Sequence, residues 1–202
     1  MKGLNTFIIF LLCTFFTVNA QNWQLKKDKD GVQVYTQSNP SSAFDLLKAE
    51  CVINARLTEI LNLIFDVDSH TAWVYNCVQS KLIKKNNLYD IVYYAETYAP
   101  WPVSNRDLVI HLKAITDSTN AQISIHGVSE PKLKGPVEGK IRVPRSIANW
   151  KLIPINQSTT RIIYTLDIDP GGSLPAWLVN FASVEGPYLS FQKMKALLIK
   201  ND

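Results

Sequence analysis

The chain has 202 residues with 21 basic against 17 acidic side chains, a formal charge of +4, and 47% hydrophobic residues. That small surplus argues against a nucleic-acid binder, which shows a dense basic face, and the length suits one domain with a sizeable core. The three cysteines show no CxxC or Cys/His ligand spacing, so a zinc site has no support.

The chain opens with positive Met1-Lys2, an apolar run from Phe7 to Phe16, and the small-residue end Val18-Asn19-Ala20. This is the three-part form of a secretory signal peptide, and cleavage after Ala20 is expected. The run is shorter than the roughly 20 apolar residues of a comfortable membrane span, which ranks an uncleaved anchor second. Residues 21–202 are therefore read as one exported domain, periplasmic or extracellular. Lys2 leaves with the signal, so the mature charge is +3, from 20 basic and 17 acidic residues. That charge is compatible with anionic lipid head groups, but an ordinary solvated surface explains it better. Cys51 and Cys77 remain, both in apolar-patterned stretches, and buried free thiols are preferred over a bridge.

Asp28-Lys29-Asp30-Gly31 reads as a turn, and the alternation of Val32, Val34 and Thr36 as a strand. Ser38 to Ser42 is a loop, and strand character resumes from Phe44 to Ile53. Asn54 is the expected cap of a helix with Leu57, Ile60, Leu61, Ile64 and Phe65 on one face. Strands follow near 77–84, 88–96, 106–116, 121–129, 138–153 (interrupted around Pro144) and 160–169. Asn86-Asn87, Asp117 to Asn120 and Asn156 to Thr159 are the expected hairpin turns. Consecutive strands with no helices between them predict an antiparallel sheet. Pro175 opens a last helix to about residue 199, with Leu174, Trp177, Leu178, Phe181, Val184, Tyr188, Phe191 and Leu198 on one stripe. Gly186-Pro187 should kink or loosen it. The predicted fold is α+β, a long C-terminal helix across a curved antiparallel sheet. Whether the space between them is filled or hollow decides function.

No GxSxG, SxxK or HExxH pattern is present, and the three histidines stand apart. Asp66-Val67-Asp68-Ser69-His70 ends a helix, so a surface turn explains it better than a metal site. Asp167 and Asp169 share a strand face, but Asp169 precedes Pro-Gly-Gly and serves turn chemistry. Asn156-Gln157-Ser158 matches a glycosylation acceptor, relevant only in a eukaryotic secretory route. Lys132, Lys134, Lys140, Arg142 and Arg145 flank Gly135-Pro136. A membrane-docking loop is one reading of them, and an ordinary solvated face is preferred.

Several spaced features together resemble one family, the START domains (StAR-related lipid-transfer modules). These are W-x-L…D-x-D-G-V-x-V-Y (Trp23 to Tyr35), Trp73 after the first helix, and Pro100-x-Pro102…Arg106-Asp107-Leu108-Val109. Trp150-x-Leu152-x-Pro154 and D-P-G-G-x-L-P-x-W-L-V-N (Asp169 to Asn180), followed by a helix containing Pro187, complete the set. The resemblance implies a helix-grip fold, in which the sheet wraps around the C-terminal helix and an internal tunnel holds one lipid or sterol. It also implies no catalytic residues, no cofactor, and a lid formed by the C-terminal helix and nearby loops. The chain departs from the family at its short N-terminus. Leu112 stands where some sterol-binding members carry a second arginine. Tyr93, Tyr94, Tyr98 and Trp101 form no evident choline cage.

The expected tunnel wall is Leu108, Ile110, Leu112, Ile123 and Ile125 from the sheet, with Leu178, Phe181, Tyr188 and Phe191 from the helix; plain core packing is the alternative for each. Arg106 and Asp107 are assigned structural roles. On a strand they point to opposite faces, and Glu96 on the preceding strand is the expected counter-charge for Arg106. The leading function is an exported, monomeric lipid carrier or sensor with transient membrane contact. The alternative is a helix-grip enzyme of cyclase or hydrolase type, using His111, His126, Glu96 and Arg106 on a hydrophobic substrate. A filled, partner-binding domain is the third reading.

Overall fold

The computed structural model describes residues 23–199 except 118 and 120, without the side chains of 177, 178, 181 and 182. The expected signal peptide lies outside the described residues. Ten strands form one sheet: β1 (Gln24–Lys29), β2 (Val32–Gln37), β3 (Leu46–Ile53), β4 (Cys77–Asn87), β5 (Asp90–Thr97), β6 (Asn105–Asp117), β7 (Gln122–Ser129), β8 (Lys140–Arg142), β9 (Arg145–Asn156) and β10 (Thr159–Asp169). Among the described residues, three α-helices, α1 (Leu57–Phe65), α2 (His70–Trp73) and α3 (Ala176–Ile199), and a short 3-10 turn (Val67–Ser69) complete the fold. The sheet order is β1-β2-β3-β10-β9-β7-β6-β5-β4, and β8 pairs with β6 off this path. Every pairing is antiparallel except β6 with β8. The architecture is the expected curved antiparallel sheet with a C-terminal helix.

Side chains of alternate parity separate the two faces of the sheet. Val32, Val34, Ala49, Ile91, Leu112, Ile125, Leu152 and Ile162 point inward and join Tyr188, Phe191, Met194 and Leu198 of α3 in the main core. On the outer face, Val92, Tyr94 and Val109 form a small second cluster with Val137. Cys51 and Cys77 are buried free thiols, and burial pushes the Cys51 thiol up to about 12.

Local chemistry moved several predicted boundaries. β1 carries little apolar signal because its residues are mostly exposed. It is a strand because Asp30 and Gly31 both take positive φ, 51° and 69°, which suits a tight hairpin onto β2. The cap of α1 is Arg56, not Asn54. The Glu59 carboxylate, three residues on, accepts the Arg56 main-chain N–H at 2.7 Å and its Nε–H at 2.8 Å. The β4 strand runs through Asn86-Asn87, and the turn falls at Leu88-Tyr89, where Asn87 Oδ1 accepts the Tyr89 N–H at 2.9 Å.

α3 runs unbroken through Gly186-Pro187. Pro187 has no N–H, so the Ser183 carbonyl lacks its usual helical donor. Before α3, Gly171 and Gly172 take φ of 68° and 70°. A Cβ on Gly172 would meet Ile141 Cδ1 at 2.9 Å, so this turn needs glycine to lie against β8.

Candidate functional site

Small residues run across the middle of the inner face: Ala95, Ala114, Gly127, Ser129, Ser146 and Ala148. Their places follow from the register, in which Ala95 faces Leu108, Leu112 faces Gly127 and Gly127 faces Ala148. Such short side chains project little from the sheet towards α3. Along three strands the covering is complete at Leu112, Leu152 and Ile162. It becomes partial at Ile110 and Leu108, at Trp150, and at Tyr164, Leu166 and Ile168. Half-covered apolar side chains on the face that meets α3 are the candidate lining of a ligand site.

Leu108, Ile110, Leu112, Ile123 and Ile125 share this inner face, as their alternation requires. Leu112, Ile123 and Ile125 are packed into the core, whereas Leu108 and Ile110 keep uncovered surface. Phe191 is 1% exposed and stacks edge-on with Trp150 at 5.7 Å. Tyr188 lies at the β1–β2 turn, where its hydroxyl donates to Asp30 at 2.6 Å and Lys27 Nζ sits 4.0 Å from its ring. The side chains of Leu178 and Phe181 lie outside the described residues.

Asp107 points outward and is 1% exposed, held by Arg142 through Nε at 2.9 Å and Nη2 at 2.8 Å. Arg106 points inward, and Glu96 is not its partner, contrary to expectation. Glu96 shares the outer face with Asp107, its cross-strand neighbour, and pairs with Lys140 and Asn105. Arg106 instead donates to the carbonyls of Ser104 at 2.5 Å and Gly171 at 3.4 Å, and its Nε has no partner. Burial without a nearby carboxylate lowers its pKa. The basic cluster around Gly135 is also partly internal, because Lys140, Arg142 and Arg145 bind Glu96, Asp107 and Asp167.

His111 and His126 face outward, against Asp90 at 2.8 Å and Asn149 at 2.8 Å. They meet neither each other nor Arg106 in a common pocket. Tyr93, Tyr94, Tyr98 and Trp101 do not converge either. Tyr93 is inside, Tyr94 lies under Lys134 on the outer face, and Tyr98 and Trp101 are 50% and 91% exposed. Two recesses of about 310 Å³ each lie on the outer face, one beside Tyr94 and Leu133, the other beside Trp23 and Leu46. Among the described residues no three His, Cys, Asp or Glu side chains gather as a metal site.

The START domain profile matches residues 12–201. The chain belongs to the START domain family. A protein of Pseudomonas aeruginosa described as uncharacterised is 34% identical over 200 residues, covering 97% of this chain and 98% of its own length. The phosphatidylcholine transfer protein of Mus musculus is 25% identical over 174 residues, covering 84% of this chain and 80% of its own. The crystal structure of a STAR-related lipid transfer protein fragment from Xanthomonas axonopodis superposes with a TM-score of 0.81 at 28% identity, covering 87% of this chain and 98% of that one. The helix-grip fold expected from the sequence is the fold of this START domain.

The signal that sequence reading missed is the set of small inner-face residues. Gly127 and Ala148 sit on separate strands, and only the register sets them side by side.

Proposed function

We propose that this START domain is a carrier or sensor that holds one lipid or sterol-like molecule between the sheet and α3. The observation that carries the reading is the half-covered inner face in a chain of this family. Its similarity to a phosphatidylcholine transfer protein and to a STAR-related lipid transfer protein supports it. Each acyl CH₂ taken out of water contributes about 0.8 kcal/mol, so an apolar groove binds long chains without specialised chemistry.

In this reading the protein is a monomer without catalytic activity. The outward positions of His111, His126 and Glu96 support that over the enzyme alternative. Cargo enters at the Gly171-Gly172 end of α3, which Arg106 reaches from β6. Trp101, 91% exposed, is the residue best suited to rest at a membrane interface. Residues 1–20 direct export to the periplasm or beyond. The test is whether the protein, purified from its own host, contains one lipid per chain.

A further inference from the structure

The inner face carries polar groups that the protein itself does not satisfy. Trp73 is 2% exposed and its Nε1–H has no acceptor; the buried Ser80 Oγ is likewise unpaired. Among the described residues, the Tyr93 and Tyr164 hydroxyls also have no hydrogen-bond partner, but unlike Trp73 Nε1 and Ser80 Oγ their oxygens are not sealed. Buried polar groups are almost always paired, and an unmet donor costs more than a net hydrogen bond contributes.

Three of these groups belong to one aromatic cluster. Trp73 meets Trp150 at 6.3 Å, and Trp150 meets Tyr164 at 4.4 Å. His70 bridges Trp73 at 5.1 Å and Tyr93 at 5.3 Å. Burial, and then the nearby Tyr164 phenol, raise Tyr93 well above the ordinary tyrosine range, and burial does the same to Tyr164. Both therefore remain protonated donors at any physiological pH. Burial also lowers the pKa of His70, and its Nε2–H is given to the Ile64 carbonyl at 2.9 Å.

We infer that Trp73 Nε1 and the Tyr93 and Tyr164 hydroxyls form a receptor for the uncharged oxygen of a lipid, a hydroxyl or a carbonyl. The inference rests on the carrier reading and names the class of its cargo. All three groups offer hydrogens, so the guest must accept. An anion at this cluster would have no counter-charge beside it, because the inward Arg106 lies further along β6, opposite Thr97 rather than Tyr93, and such burial is strongly unfavourable. A hydroxyl or carbonyl accepts from two of the three donors at a time, and its hydrocarbon body fills the half-covered surroundings of Ile110 and Leu166.

The test uses phosphatidylcholine vesicles carrying radiolabelled probes in matched pairs, hexadecanol with hexadecane and cholesterol with 5-cholestene, plus palmitate. The label held by the protein is counted after the vesicles are pelleted. In at least one pair the alcohol should load about fivefold or more over its hydrocarbon. Tyr93→Phe and Tyr164→Phe should each remove most of that preference while leaving hydrocarbon loading unchanged. Each variant, stripped of lipid, should also melt no lower than the stripped wild type, because it loses a hydroxyl that had no partner. A lower melting temperature in both would assign these hydroxyls to the fold and overturn the inference. Equal loading of alcohol and hydrocarbon, or a preference for palmitate, would overturn it and leave the carrier reading standing. No loading of any probe would overturn both.

Discussion

Asp107 and Arg106 are neighbours in sequence with opposite electrostatic situations. Asp107 sits in a two-pronged clasp with Arg142, which also donates to the carbonyls of Pro131, Lys134 and Gly135. Removing the carboxylate leaves that guanidinium uncompensated, so Asp107→Ala should cost about 3–5 kcal/mol. Arg106 faces no carboxylate, and Arg106→Leu loses only its two carbonyl bonds, about 1–2 kcal/mol. Urea denaturation of both variants checks the order; a larger loss for Arg106→Leu would contradict it. Glu96 contributes to the acid dependence of stability, alongside Glu50, Glu59 and Asp90. Burial alone would raise its pKa, but the Lys140 and Asn105 bonds outweigh burial and hold the carboxyl below the usual range. A depressed folded pKa gives stability that is present above the unfolded value, about 4.3, and is lost as pH falls through the folded one. Melting temperature followed from about pH 7 to pH 3 should therefore drop less on the acid side in Glu96→Gln than in the wild type. Parallel curves would remove Glu96 from the acid response.

At the scale of elements, α3 is fastened unevenly. Its second half is buried at Tyr188, Phe191, Met194 and Leu198 and tied to the β1–β2 turn by Tyr188 to Asp30 and by Lys195 to the carbonyls of Asp30 and Gly31. The bond from Tyr75 N–H to Ser190 Oγ adds to this anchor, and the ion pair of Glu185 with Lys27 holds the last turn before Pro187. Nearer its start, Asn180 Oδ1 accepts the Asp45 N–H at 3.1 Å. Pro187 separates the halves by removing one ladder bond. Amide exchange should therefore be at least about tenfold slower over 188–198 than over 176–185, so that opening starts at the Gly171-Gly172 end. Equal protection of both halves would contradict a lid of this kind. These ties were not legible in sequence, because Asp30 and Tyr188 are 158 residues apart and nothing local announces their meeting. The strands were legible, because period-two alternation and turn residues are local signals. β1 escaped for lack of apolar residues, and the α1 cap shifted because Glu59 favours Arg56 over Asn54.

At the scale of the whole molecule, the order of elements and the family motifs are enough to anticipate a sheet gripping a helix. The faces of Arg106 and Asp107 followed from strand parity alone, but their partners did not, since Glu96 lies across from Asp107 and turns to Lys140. The nine expected wall residues came from hydrophobic pattern, which cannot separate a lining side chain from a packed one. The structure makes that division through covering, with Leu112, Ile125 and Phe191 sealed and Leu108 and Ile110 partly open. The unpaired Trp73, Tyr93 and Tyr164 groups had no sequence signal at all, because an unmet hydrogen bond exists only in three dimensions. The central claim is that the half-covered inner face is a lipid site rather than a loosely packed core. Native mass spectrometry of the protein purified from its own host tests it most directly. The account predicts a species heavier than the bare chain by one lipid, which organic extraction releases in a one-to-one ratio. A bare mass from the host, persisting after incubation with that host's total lipid extract, would contradict it.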